Sequence, residues 1–168
     1  MKKILLISDT HGVLLADVMK HVAEADEVWH AGDWGGGKEA FSLLEDTGKT
    51  IRGVYGNIDG TFIRSVCPEN LFFVCEGLKV WITHIGGYPG RYAKGIKQQL
   101  VQHKPDLFIC GHSHILKVQR DPELKVMHFN PGAAGVHGFH KFRTMLRFEI
   151  ENAKIQNLVV IDLGLRAE

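Results

Sequence analysis

Aspartate, histidine and asparagine recur in five short motifs, Asp9-Thr10-His11, Gly32-Asp33, Gly56-Asn57-Ile58-Asp59, Thr83-His84 and Gly111-His112-Ser113-His114. Their side chains offer carboxylate and amide oxygens together with imidazole nitrogens. That mixed donor set suits Mn²⁺, Zn²⁺, Fe or Ni²⁺ and disfavours Ca²⁺, which takes oxygen alone. Asp33 supplies a carboxylate able to bridge two cations. Two such ions held roughly 3.5 to 4 Å apart acidify a shared water and clamp a phosphoryl oxygen. The chemistry such a set would perform is hydrolysis.

Each motif directly follows a short apolar run, at residues 4–7, 28–29, 51–55, 80–82 and 107–110, rich in β-branched or aromatic residues. These runs read as buried strands, which puts the polar residues at strand ends. In α/β sheets ligands bind beyond the carboxyl ends of the strands, so the five ends can bring their side chains to one place. Asp9 and His11, two apart, would point to the same side if the chain stayed extended there. Helical spacing of apolar residues predicts a helix over 13–25, a second over 38–46 that stops near Gly48, and a third over 93–103 that ends before Lys104-Pro105. Strand and helix alternate early, which argues for a parallel or mixed sheet with right-handed crossovers. The last quarter differs. Segments 127–129, 143–150 and 155–163 read as strands, the last two joined by a turn at 151–154. Two sheets packed face to face, with helices outside, are expected in a single domain spanning 1–168.

Composition narrows the function classes. A chain of 168 residues with 45% hydrophobic and 23% charged residues is ordinary globular material. Its 20 basic and 19 acidic residues leave a net charge of +1, so there is no broad electrostatic footprint for nucleic acid or anionic lipid, and phosphate binding must be local. The three cysteines, Cys67, Cys75 and Cys110, match no zinc spacing, and a reduced, cytoplasmic protein is the economical reading. Lys2-Lys3 before Ile4-Leu5-Leu6-Ile7 imitates a signal peptide, but the apolar stretch is too short and runs straight into Ser8-Asp9. No stretch approaches a membrane span.

Taken together, the ordered motifs D-x-H, G-D, G-N-x-D, H and G-H-x-H, with Asn130-Pro131-Gly132 near the end, resemble the calcineurin-like metallophosphoesterases. Within that superfamily the chain is similar to the small prokaryotic phosphodiesterase branch, which also resembles the scaffold subunit of eukaryotic retromer. The resemblance implies a four-layer sandwich of two mixed β-sheets flanked by helices. It also implies two divalent transition-metal ions, Mn²⁺ foremost and Ni²⁺, Zn²⁺ or Fe as alternatives. Asp9, His11, Asp33 and His114 would surround one ion, and Asp33, Asn57, His84 and His112 the other. A hydroxide between them would attack phosphorus in line on a small phosphodiester, with Asn57 helping to stabilise the nonbridging oxygens. Many relatives carry a histidine after the motif asparagine to protonate the leaving group, and here Ile58 stands in that place. Asp59 is expected to orient its neighbours rather than to bind metal. Relatives are often dimeric, which leaves room for a homo-oligomer. The competing reading is an interaction scaffold of the same fold with little or no turnover.

Other polar residues weigh differently. His21 and His103 on helices and His128 within a strand read as surface or satisfied core histidines, and His30 either backs the site or finishes its strand. Segment 32–39 nearly spells a phosphate-binding P-loop but fails at Glu39, where a hydroxyl should meet Mg²⁺. Asp9 could suggest an aspartyl-phosphate enzyme, but such enzymes need a second carboxylate where His11 stands. Segment 86–91 reads as a mobile loop over the site, with Arg91 available to a substrate phosphate. His137 and His140, in a second basic loop, could reach the leaving group. Cys67, Cys75 and Trp81 read as packing residues.

Overall fold

The computed structural model describes residues 1–166. β1 (Lys2–Ile7) shows how the sequence builds its layers. Successive side chains of a strand point to opposite faces. Ile4 and Leu6 accordingly enter the cluster between the two sheets, and Leu5 and Ile7 the cluster beneath the helices. All four are fully buried.

β1 pairs in parallel with β2 (Glu27–His30), and β2 with β3 (Thr50–Gly53). On its other side β1 runs antiparallel to β11 (Phe142–Glu151), which forms a hairpin with β12 (Lys154–Leu165). The first sheet thus has the order β12-β11-β1-β2-β3. The second takes β4 (Asn70–Cys75), β5 (Leu78–Thr83), β8 (Leu107–Ile109), β10 (Val126–Asn130) and β9 (Lys117–Asp121), in the order β4-β5-β8-β10-β9. β5, β8 and β10 are parallel to one another. Ile4, Leu6, Trp29 and Phe148 from the first sheet meet Val80, Ile82, Ile109 and Phe129 from the second, and this packing forms the central core. α1 (Ala16–Glu24) and α2 (Glu39–Glu45), with α3 (Thr61–Val66), cover the outer face of the first sheet. α4 (Ile96–His103) covers that of the second, against Trp81 and Phe108. This is the expected four-layer α/β sandwich of two mixed sheets.

The parallel register is what places the site. His30 lies opposite Ile7, and Gly53 opposite His30, in one sheet; Ile109 lies opposite Ile82 in the other. The carboxyl ends of β1, β2, β3, β5 and β8 therefore open on one edge, and the five motifs begin there.

Several expectations are adjusted. α1 starts three residues later than its apolar spacing suggests, because residues 10–13 curl back in a turn (Val13 N–H to Thr10 C=O) and Gly12 N–H bonds to Trp34 C=O. α4 also starts three residues late. Ala93 N–H closes onto Gly86 C=O, and Gly95 takes a left-handed φ of 82°. Lys104, likewise left-handed, ends α4 ahead of Pro105 as expected. Segment 86–91 is not irregular. It is part of a tight hairpin of β6 (Gly87–Tyr88) and β7 (Arg91–Tyr92), fixed where Tyr92 packs on the Phe108 cluster and donates its hydroxyl to Asp121 at 2.7 Å. All three cysteines are unpaired and buried, and Trp81 is a core residue. No described helix is long and apolar enough to cross a membrane.

Candidate metal centre

Two groups of potential ligands converge at the strand ends: Asp9, His11 and His114 in one, Asp33, His84 and His112 in the other, each with its donor atoms within 4.8 Å of one another. Asp33 joins them. Its Oδ2 lies 3.2 Å from His84 Nε2 and 3.9 Å from His11 Nε2. Asn57 Oδ1 stands 3.0 Å from His112 Nδ1, which adds the amide oxygen to the second group. The seven expected ligands are thus brought together.

The backbone bends to achieve this. Asp9, His11, Asp33, His112 and His114 have φ between +50° and +70°. Left-handed backbone costs a non-glycine residue about 1–2 kcal/mol, so surrounding contacts must hold these five in place. Asp9 and His11 therefore do not project from extended chain. The loop curls, and His11 N–H bonds to Asp33 C=O while Asp9 N–H bonds to Gly32 C=O. Gly56 and Gly111 are where the fold needs the smallest residue. A Cβ at Gly56 would collide with the Asp33 carboxylate, and one at Gly111 with Ser8 and Asp9.

The strongest sign that these groups could hold a cation is what their donor atoms fail to do. Asp9 Oδ1, His11 Nε2 and His84 Nε2 are buried without hydrogen-bond partners. Asp9 Oδ1 is 3.1 Å from His114 Nε2 but lacks the alignment of a hydrogen bond. Buried polar atoms are ordinarily satisfied, and leaving one unpaired costs about 1–3 kcal/mol. Three orphans around one point fit a bound cation. The far sides of these groups are anchored. His84 Nδ1 donates to Ala31 C=O at 2.7 Å, which leaves the Nε2 lone pair for metal, and Asp9 Oδ2 accepts from Ser8 Oγ and from His112 N–H. Burial pushes Asp9 up, but the imidazoles of His11, His114 and His84 crowded around it outweigh that and hold the carboxyl well below its usual range. Burial likewise pushes Asp33 up, and His84 overcomes it. The Asp9 carboxylate raises His11; Asp33 raises His84 against its burial.

The supporting residues sort themselves by contact. Asp59 binds no ligand atom. Its carboxylate accepts from the backbone N–H groups of Trp34, Gly35 and Gly56 at 3.2, 2.9 and 2.8 Å, and so ties the Asp33 loop to the Asn57 loop. His30 is fully buried, stacked on Trp34 and hydrogen-bonded to Thr10 Oγ1, and burial pushes its pKa down to about 3. It backs the site as a neutral group. Trp34 is fully buried, and of segment 32–38 only Asp33 offers a donor to the two ligand groups. His128 is a core histidine that burial pushes down to about 4, bonded through Nδ1 to Phe108 C=O.

The three proposed substrate contacts lie in different surroundings. Arg91 lines a separate cavity with Lys94, Lys97 and Asp121. His137 is exposed, with its ring centroid 6.3 Å from that of His11. His140 has both nitrogens engaged: Nε2 donates to Gly135 C=O at 2.9 Å, so Nδ1 accepts from His114 Nδ1–H at 3.1 Å. That relay directs the His114 Nε2 lone pair toward Asp9, a role missed because residue spacing carries no sign of it. His140→Ala is expected to weaken metal binding about 10- to 100-fold, measured by competition with a chelating dye.

The remaining comparisons fit this geometry. The model of the calcineurin-like phosphoesterase superfamily domain matches residues 1–153. The chain belongs to that superfamily. No curated protein matches it by sequence. Among solved structures, a predicted phosphoesterase from Streptococcus pneumoniae is similar at 22% identity and a TM-score of 0.73, over 96% of this chain and 89% of that one. Vps29 complexed with Zn²⁺ from Entamoeba histolytica is similar at 16% identity and a TM-score of 0.73, over 95% and 98%. An archaeal phosphodiesterase gives 20% identity and a TM-score of 0.68, over 95% and 99%. These likenesses establish a shared fold.

Proposed function

We propose that this phosphoesterase-family chain is a metal-dependent phosphodiesterase acting on a small substrate. The observation that supports the reading is the set of orphaned donor atoms on Asp9, His11 and His84, beside a cleft lined by His11, Asp33, His112 and His114. Asp9, His11, Asp33 and His114 would hold one divalent ion, and Asp33, Asn57, His84 and His112 a second. When bound, such ions supply an acidified water for in-line attack and neutralise charge on the phosphoryl oxygens. Manganese is the foremost choice for imidazole mixed with carboxylate. Zinc is an alternative that the Zn²⁺ complex of a similar fold supports. Asn57 can turn its amide N–H₂ to a nonbridging oxygen. No lysine or arginine is among the described residues lining this cleft, which favours a singly charged diester over more highly charged esters. Three reduced, buried cysteines support a cytoplasmic setting.

The test is elemental analysis of protein reconstituted with Mn²⁺, alongside turnover of an activated diester. Two ions per chain and chelator-sensitive hydrolysis are expected. No bound metal would end the mechanistic reading. Bound metal without hydrolysis of any ester would favour an interaction scaffold.

A further inference from the structure

Three apolar side chains stand exposed over the metal centre. Ile58 is 47% exposed, Ile115 63%, and Phe139 fully so, and all three line a cleft of about 450 Å³ with the imidazoles of His11, His112 and His114. Exposed apolar residues scattered singly need no explanation, but three around one polar floor do. Each is tied to the ligand set through its own backbone. Ile58 follows Asn57, and its N–H donates to Asp33 Oδ1 at 3.1 Å. Ile115 follows His114, and its N–H donates to Ser113 Oγ at 3.2 Å. Phe139 lies between Gly138, packed against the His114 ring, and His140, whose imidazole is held at both nitrogens.

We propose that Phe139, Ile115 and Ile58 form a specificity subsite for a flat, uncharged apolar group esterified to phosphate, so that the substrate class is an aryl-type phosphodiester. The proposal rests on the hydrolytic reading of the cleft floor. An aromatic substituent beside the phosphoryl group would cover the exposed Phe139 ring in an offset or edge-to-face contact and remove both isoleucines from water. A second phosphate would find no cationic partner on this rim. Sugar hydroxyls would lose water without gaining hydrogen bonds from these three side chains.

The experiment holds the leaving group constant and varies the other ester. With Mn²⁺-loaded protein, kcat/KM is compared for 4-nitrophenyl phosphate diesters whose second group is methyl, phenyl or naphthyl. The phenyl ester should exceed the methyl ester by about ten- to a hundredfold. That ratio should collapse toward one in a Phe139→Ala/Ile115→Ala double variant. It should persist in Val74→Ala, which removes an exposed apolar residue from β4. Calorimetric binding of phenylphosphonate against methylphosphonate makes the same comparison without turnover. A ratio near one in both kinetics and binding overturns the subsite, as does a ratio that survives in the double variant. Retained binding preference with no hydrolysis of any ester would instead overturn the hydrolytic reading and leave the subsite standing.

Discussion

Asp33→Asn is expected to lower kcat/KM by at least about a thousandfold, as far as chelation does, while Arg91→Ala stays within about threefold. Asp33 reaches both ligand groups, lying 3.2 Å from His84 and 3.9 Å from His11, and its other oxygen accepts from the Ile58 N–H. Asparagine keeps the shape and removes the charge that would offset two dications. Metal catalysis is worth several kcal/mol of charge stabilisation, and about 4 kcal/mol corresponds to three decades in rate. Arg91 has no comparable place, because β7 directs it into a cavity beside α4. Kinetics on an activated diester and the metal content of each variant measure the two effects together. Equal, mild losses would mean that Asp33 does not join the two ligand groups.

The part of this centre legible in the sequence was the part carried by strand ends. Asp9, Asp33, Asn57, His84, His112 and His114 each follow an apolar run, and a parallel sheet gathers such positions at one edge whatever the details of the loops. What the sequence hid depends on contacts between distant segments. His140 sits in a loop with three other polar or aromatic neighbours, and only the folded chain reveals that it holds His114. The curl that brings His11 to Asp9 is set by hydrogen bonds to residues 32–34, some twenty positions away. Arg91 lines a separate cavity because the packing of Tyr92 on Phe108 and its bond to Asp121 decide where the 86–92 segment lies. In the fold, α3 is only six residues and β9 is largely polar, so neither carries a periodic signal. β4 is different. Leu71-Phe72-Phe73-Val74-Cys75 before Glu76-Gly77 carries a strand and turn signal that went unread, and its register with β5 completes the hairpin.

Ile58 should make hydrolysis strongly dependent on the leaving group, and Ile58→His should relieve that dependence. The side chain that follows Asn57 lies in the cleft and is 47% exposed, so a group there can approach a departing oxygen. Isoleucine has no proton to give. His140 cannot substitute, since its two nitrogens are engaged by His114 and Gly135, and His137 stands outside the residues that line the cleft. General acid catalysis is typically worth about 10²- to 10⁴-fold, and most when the leaving group is a poor one. Wild-type protein should therefore favour aryl over alkyl leaving groups, with a steep dependence of kcat/KM on leaving-group basicity. Ile58→His should raise alkyl diester cleavage by about a hundredfold or more, flatten that dependence and add a basic limb to the pH profile where the imidazolium loses its proton. Aryl esters should gain little, because a phenolate leaves unaided and the variant removes one apolar wall of the rim. Wild-type protein that cleaves alkyl monoesters as readily as aryl diesters, with no gain from Ile58→His, would mean that protonation of the leaving group does not limit this site.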